Sequence, residues 1–72
     1  MRKKIRLTPR QYECLHWLSL GKTTVEIGII LGISHTTVCF HLKKVYIKLN
    51  ATNQTSAITK GFHLAILKIP ES

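Results

Sequence analysis

Apolar residues recur with helical spacing across SHTTVCFHLKKVYIKL, the stretch from Ser34 to Leu49. At about 100° per residue, one narrow stripe of this segment is entirely apolar. That stripe consists of Val38, Leu42, Val45 and Leu49, with His41 at its flank, and the opposite face carries Thr36, Phe40, Lys43, Lys44 and Ile47. A solvated face has no need of a phenyl ring, whereas a DNA groove offers it thymine methyl groups. The pattern predicts a helix that packs by one side and presents a DNA-reading face on the other.

Capping and turn residues divide the rest of the chain into three more helices. Thr8, Pro9 and Gln11 form a helix start with a capping box, and Ser34 and Asn53 are further N-caps. A tight glycine turn joins the second and third helices, which is the layout of a helix-turn-helix. We predict an all-α fold without strands, with helices over residues 9–20, 24–31, 35–49 and 54–67.

The charge balance narrows the range of partners. Eleven Lys and Arg residues face three acidic residues, which gives a formal charge of +8 and predicts a polyanionic partner such as nucleic acid. We expect the basic residues 1–6 to form either a phosphate-contacting arm or the solvated end of a linker. At 72 residues the chain makes one small domain, which disfavours a long catalytic cleft.

No set of residues favours catalysis, a metal site or a cofactor. His35 and Cys39 stand at i and i+4, but a structural zinc site needs four ligands and no second pair has suitable spacing. Cys14 and His16 are two residues apart on a helix, so they point to different sides. We therefore expect reduced thiols, no metal, no cofactor and no enzyme activity, and we interpret His41 as a satisfied, half-buried histidine.

Membrane insertion and export are also disfavoured. No apolar run reaches the roughly 18 residues of a membrane span, and the basic start leads into a helix instead of a signal-peptide core. We expect a soluble cytoplasmic protein with no membrane partner. A membrane-active cationic peptide fits the charge but not the capped, turn-punctuated helices.

Residues along most of the chain also match the pattern of a known family. They are Leu7-Thr8-Pro9-Arg10, Glu13, Leu15, Gly21, Glu26-Ile27, Leu31-Gly32-Ile33-Ser34, Thr37-Val38, His41, Lys48-Leu49 and Asn53. In order and spacing they resemble the LuxR-type (GerE-like) helix-turn-helix domain across residues 5–67. Within this family the chain most resembles the quorum-sensing branch. The residues that carry this resemblance are Trp17, Gly21-Lys22-Thr23, Glu26-Ile27 and Phe40-His41.

The resemblance implies a DNA-binding domain over residues 7–69 of a bacterial transcription regulator. It implies double-stranded DNA as the partner and a homodimer formed through the C-terminal helix. In the quorum-sensing branch a separate N-terminal domain binds an acyl-homoserine lactone. We therefore expect no small-molecule ligand on this domain itself, and a chain that is either an excised DNA-binding domain or a stand-alone member of the family.

Carried over residue by residue, the family's base contacts fall on Cys39, Phe40 and Lys43. The helical pattern independently places Phe40 and Lys43 on the outward face. Lys43 suits guanine O6 and N7, and Phe40 suits a thymine methyl group. The alternatives are that Lys43 is a solvated lysine, that Phe40 packs at the edge of the core, and that Cys39 is a small buried thiol.

Phosphate contacts are predicted where the second and third helices begin, because hydroxyls and free amides there form an anion site. The predicted contacts are Thr23, Thr24, His35, Thr36, Thr37 and Lys44. Capping alone explains some of these threonines, since Thr23 or Thr24 must cap the second helix in any case. Lys48 is predicted to support the end of its own helix.

The fourth helix is the predicted dimer element, since small residues on one stripe permit close helix approach. The stripe consists of Ile58, Gly61, Phe62 and Ala65. The alternative is that this stripe packs on the first helix, and Ala57 and Leu64 offer a second face for packing within the chain. A second function remains an alternative. In it, the chain is a protein-interaction module, and the surfaces of Trp17 and the fourth helix bind a partner such as RNA polymerase.

Overall fold

The computed structural model of the chain describes residues 5–68, which form four α-helices and no β-strand. The helices are α1 (Pro9–Ser19), α2 (Thr24–Leu31), α3 (His35–Leu49) and α4 (Gln54–His63). The all-α class and the predicted bounds of α2 and α3 are confirmed, whereas α1 ends one residue earlier than predicted. Arg2, Lys3 and Lys4 of the predicted arm, and the last residue of the predicted domain, lie outside the described residues. Between residues 5 and 68 no single helix is long and apolar enough to cross a membrane, and the α2–α3 pair that reaches this length and composition together is bent by 108°.

Each helix begins where a side chain caps its first amides. Thr8 Oγ1 accepts from the amide of Gln11 at 3.1 Å, and Gln11 Oε1 accepts from the amide of Thr8 at 3.1 Å, which closes the predicted capping box. Ser34 caps α3 and Asn53 caps α4, as predicted. Gly32 ends α2 in the left-handed conformation at φ 70°. A side chain would strain this backbone, so the glycine permits the tight turn into α3.

The inward stripe of α3 connects the two halves of the core. Its first part packs with α1 and α2, and its second part packs with α1, α4 and the segment after α4. The first cluster consists of Cys14, Leu18, Ile27, Val38 and Leu42, and the second of Leu15, Val45, Leu49, Ala57 and Leu67. The predicted stripe of α3 is confirmed. Because it is anchored in both clusters, the opposite face of α3 has a fixed orientation.

The fourth helix is shorter than predicted and ends at His63, not at residue 67. Ala65 adopts the left-handed conformation at φ 59°. The amides of Ile66 and Leu67 both donate to the carbonyl of Gly61, at 2.9 and 3.0 Å. The chain therefore turns back and buries Leu67, and this apolar burial replaces a further helical turn.

Lys48 connects α3 to the start of α1. Its Nζ donates to Gln11 Oε1 at 2.8 Å and to the carbonyl of Arg6 at 2.9 Å. Gln11 is only 4% exposed, so Lys48 supplies a hydrogen-bond donor to the oxygen of a buried side-chain amide. Lys48 lies in the last turn of α3, where it is predicted to support the helix end, and its ammonium group also bonds to a different element.

Candidate nucleic-acid interface

The outward face of α3 is open to solvent, as its helical pattern predicts. Thr36, Phe40, Lys43, Lys44 and Ile47 are all exposed, with 56% of Phe40 and 71% of Ile47 accessible. Phe40 thus lies outside the core, and the alternative that it packs at the core edge is wrong. The face combines ammonium groups with apolar side chains, which suits contact with phosphates, base edges and thymine methyl groups in a major groove.

Lys44 orients the phenyl ring of Phe40. Its Nζ lies 4.8 Å from the ring centroid, a cation–π geometry that contributes about 0.5–1 kcal/mol at an exposed site. The ring of His41 meets Phe40 edge-on, with centroids 6.1 Å apart and planes at 64°. These contacts join a predicted base contact and a predicted phosphate contact into one unit.

Cys39 and Lys43 line a shallow pocket between α3 and the start of α2. The pocket has a volume of about 290 Å³ and is completed by Thr24, Leu42 and Tyr46. It therefore places two predicted base contacts beside a predicted phosphate contact. Leu42 and Tyr46 are not among the predicted site residues, although their spacing of three and seven residues after Cys39 is that of one helix face.

The two cysteines have different environments. Cys39 is exposed, with its Sγ 3.5 Å from His35 Nε2, so the alternative of a small buried thiol is wrong. Cys14 is buried in the core, and this burial raises the pKa of its thiol. Burial also raises the pKa of Tyr46, and Cys39 adds to the shift. The hydroxyl of Tyr46 therefore stays protonated at neutral pH and can donate a hydrogen bond at the pocket.

The start of α2 already holds an anion of its own. Thr23 Oγ1 accepts from the amide of Glu26 at 3.1 Å, and Glu26 Oε1 accepts from the amide of Thr23 at 2.8 Å. The hydrogen bond from the Thr23 amide lowers the pKa of Glu26. A carboxylate at this end of α2 opposes the approach of a phosphate, so capping is the main role of Thr23. Sequence reasoning missed this capping box, although the Thr-x-x-Glu spacing signals it.

The start of α3 has no acidic residue in its first turn. Ser34 Oγ accepts from the amide of Thr37 at 3.1 Å and lies 2.8 Å from Thr37 Oγ1, so the Thr37 hydroxyl takes part in the cap. His35 and Thr36, the first two residues of α3, are exposed beside the positive end of the helix. Of these two helix ends, the start of α3 is therefore the better site for a phosphate.

His41 is half-buried as predicted, but it is not satisfied by the chain itself. Its Nδ1 is buried and has no hydrogen-bond partner among residues 5–68. The prediction of a satisfied histidine is corrected on this point. Within the same range, no group of three or more His, Cys, Asp or Glu side chains is arranged to hold a metal ion.

The four predicted dimer residues lie in different environments. Gly61 is buried, and a Cβ there would lie 2.8 Å from Leu67 Cδ1. The close approach at Gly61 is thus made within the chain. Ile58 and Phe62 are half-buried against the core, and Ala65 is exposed beyond the end of α4. The stripe is therefore not continuous, because the helix ends before Ala65.

Comparisons with known proteins agree on one family. A family profile described as bacterial regulatory proteins, luxR family, matches residues 6–60. The chain is 46% identical over 65 residues to the HTH-type quorum sensing-dependent transcriptional regulator VjbR of Brucella ovis, covering 90% of this chain and 25% of that protein. It is 45% identical over 64 residues to the transcriptional activator protein LuxR of Aliivibrio fischeri, covering 89% of this chain and 26% of that protein. The chain spans about a quarter of the length of these relatives.

Two solved structures share the fold. The transcription factor GerE superposes with a TM-score of 0.83 at 30% identity, covering 92% of this chain and 97% of that chain. The Vibrio cholerae VqmA dimer, described among LuxR-type receptors, superposes with a TM-score of 0.81 at 30% identity, covering 83% of this chain and 27% of that chain. The arrangement of four helices is therefore that of known regulator domains.

Proposed function

The chain belongs to the luxR family of bacterial regulatory proteins, and we propose that it binds double-stranded DNA sequence-specifically with α3 in the major groove. The observation that carries this proposal is the outward face of α3, where Phe40 is 56% exposed beside Lys43 and Lys44. The opposite face of α3 is anchored in both hydrophobic clusters. The formal charge of +8 adds attraction to phosphate that does not depend on sequence.

In this proposal Cys39, Phe40 and Lys43 contact bases. The ammonium group of Lys43 donates to guanine O6 or N7, and the oriented ring of Phe40 packs on a thymine methyl group. The exposed thiol of Cys39 lies beside them at the rim of the same pocket. The three side chains are within one helical turn of each other, so they fit a few consecutive base pairs.

The proposed phosphate contacts surround these base contacts. The start of α3 supplies backbone amides together with exposed side chains, and Lys44 supplies a charge on the same face. Thr24 faces them across the pocket. The full proposed set is Thr23, Thr24, His35, Thr36, Thr37 and Lys44, with Thr23 and Thr37 also serving as part of the helix caps.

We further propose that the whole regulator binds as a homodimer through α4, to a two-fold symmetric site. Half-sites should lie about one helical turn apart, or a small multiple of it. Ile58 and Phe62 keep part of their surface on α4, and Leu64, expected to pack inward, is 47% exposed next to Ala65. A dimer is also the form described for VqmA.

The setting that we propose is the bacterial cytoplasm, with a regulatory role and no catalytic step. VjbR is named a quorum sensing-dependent regulator, and we propose the same role for the whole protein. We propose no cofactor, no metal, no membrane partner and no small-molecule ligand for the domain itself.

Selection of duplexes from a random pool, followed by titration against salt, tests this function. We expect one enriched two-fold motif, bound about 10³-fold or more tightly than random DNA at physiological salt. Equal affinity for selected and random duplexes at every salt concentration would refute sequence-specific binding and leave only attraction by charge.

A protein-interaction module is the second candidate, with RNA polymerase as a proposed partner. Large apolar side chains exposed outside the α3 face, among them Val25 and Ile29, favour it. Trp17, which the sequence assigned to the partner surface, packs on the first hydrophobic cluster instead. Binding of the chain to purified polymerase in the absence of DNA tests this candidate, and no measurable binding would count against it.

A further inference from the structure

Phe40 is an exposed aromatic side chain that is nevertheless held on two sides. An exposed side chain without neighbours exchanges between several rotamers. Here the ammonium group of Lys44 lies 4.8 Å from the ring centroid, and the ring of His41 meets the phenyl ring edge-on, with the two planes at 64°. The exposed surface of the ring therefore has a direction that these two neighbours set.

The position of Lys44 follows from the geometry of α3. Residues at i and i+4 are neighbours on the surface of a helix. Long side chains in a helix also lean back toward its N-terminus. The side chain of Lys44 is therefore directed toward Phe40, which lies one turn earlier in α3.

No carboxylate competes with the ring for this ammonium group. Glu13 and Glu26 are the only acidic residues between positions 5 and 68. Glu13 forms an ion pair with Arg10 on α1, and Glu26 belongs to the cap of α2. Since α3 contains no acidic residue, its outward face has a net positive charge. The ring of Phe40 is thus the partner that remains for Lys44 within the described part of the chain.

We propose that Lys44 determines the thymine specificity of α3, because it positions Phe40 to pack on the C5-methyl group of one thymine. Of the four bases, only thymine presents such a methyl group in the major groove. A ring with a fixed direction packs on one base position, whereas a freely rotating ring contacts several. The ammonium group has three N–H donors, so those directed away from the ring remain able to bind a phosphate. This inference rests on the proposed binding of DNA through α3.

The contact between Lys44 and Phe40 is tested first in the chain without DNA. Protons that lie over the face of an aromatic ring resonate upfield in NMR spectra. The side-chain resonances of Lys44 should therefore lie upfield of those of Lys68, and Phe40→Leu should remove this difference. Unshifted resonances in the wild-type chain would show that Lys44 does not lie over the ring in solution, and they would overturn the proposal whatever the chain binds.

Recognition of the methyl group is tested on the selected duplex, with single thymines replaced by uracil, which lacks only this group. At the thymine that Phe40 contacts, uracil should weaken binding of the wild-type chain about fourfold. Phe40→Ala should bind the two duplexes equally. Lys44→Ala should reduce the ratio to about twofold or less, whereas Lys44→Arg, which keeps a cation over the ring, should retain it. Lys68→Ala, which removes an equal charge, should leave the ratio unchanged.

Three results would overturn this role of Lys44 in different ways. If no uracil substitution weakens binding, Phe40 contacts no methyl group, although sequence-specific binding stands. If Lys44→Ala weakens binding equally on the thymine and uracil duplexes, with circular dichroism unchanged, Lys44 is a phosphate contact only. A selection that enriches no motif would refute the proposed function, and the thymine specificity with it, even where the resonances of Lys44 show its contact with Phe40.

Discussion

Lysines on α3 have different roles according to the side of the helix on which they lie. Lys43 is exposed at the rim of the pocket, and Lys44 lies over the ring of Phe40. Lys48 is fully engaged, with hydrogen bonds to Gln11 Oε1 and the carbonyl of Arg6. Only the first two therefore have an ammonium group free to face a ligand, and of these Lys43 shares the pocket with Cys39.

Replacing Lys43 by alanine should reduce the discrimination between the selected duplex and a shuffled duplex by about 1–3 kcal/mol. The reason is that a donor to guanine is lost, while the stability of the fold is unaffected because the side chain is exposed. Dissociation constants on both duplexes at fixed salt measure the effect, with Lys68→Ala as a charge-matched control. Equal losses on the two duplexes would make Lys43 a phosphate contact only.

The backbone of Ala65 provides a test of stability at the level of one residue. At φ 59° an alanine is strained, because its Cβ approaches the following carbonyl. Ala65→Gly should therefore stabilise the chain by about 0.5–1 kcal/mol, after the greater freedom of glycine in the unfolded state is deducted. Urea unfolding measures the change, and Ala57→Gly, inside α4, should instead be destabilising. A lower midpoint for Ala65→Gly would show that this turn is not strained.

At the scale of elements, the parts of the fold that could be predicted are those encoded by local signals. The bounds of α2 and α3 follow from N-caps and from Gly32, and the inward stripe of α3 follows from its period. The end of α4 could not be predicted, because Ala65 turns without a glycine and the cause is the burial of Leu67. Burial at a distance along the chain leaves no local signal.

The same division holds for the candidate site. Exposure of the α3 face could be predicted from periodicity, but the contact of Lys48 with Gln11 joins residues 37 apart in the sequence. The pocket that places Thr24 opposite Cys39 depends on how α2 packs on α3, which no local pattern contains. The position of a carboxylate at the start of α2 could have been predicted from the sequence, because Thr23 and Glu26 have capping-box spacing.

That capping box predicts how the stability of α2 depends on pH. The pKa of Glu26 is lowered from its ordinary value of 4.5 by hydrogen bonds from Thr23. A carboxyl whose pKa is lowered by folding stabilises the fold above its unfolded pKa and loses this effect as the pH falls through its folded pKa. Glu26→Gln should therefore lower the melting temperature at pH 7, and its difference from the wild type should shrink steadily below pH 4.5.

Thermal melts by circular dichroism at a series of pH values between neutral and strongly acidic measure this dependence. Glu13→Gln serves as the matched control, since Glu13 forms an ion pair of 3.3 Å with Arg10 and takes no part in a cap. A difference between wild type and Glu26→Gln that stays constant down to strongly acidic pH would contradict the assigned role of the carboxylate.

At the scale of the whole molecule, the exposed faces of α3 and α2 differ in composition. The outward face of α3 carries Lys43 and Lys44, whereas the free surface of α2 is dominated by Val25, Ile29 and Ile30. A small domain has few residues to spare for a core, and here α3 supplies the stripe that joins both clusters. One helix therefore holds the fold together and also fixes the orientation of the face that carries Lys43 and Lys44.

The formal charge of +8 gives the last prediction, on the salt dependence of DNA binding. Each phosphate that is neutralised adds about 0.9 to the slope of log K against log salt concentration. Lys44→Ala should therefore reduce the slope by about 1 per chain on both specific and random duplexes. Replacing Arg2, Lys3 and Lys4 by glutamine should reduce it further if these residues form a phosphate-contacting arm. An unchanged slope in that triple variant would show that residues 1–6 are a solvated linker end, because a charge that releases no counterion contributes nothing to the slope.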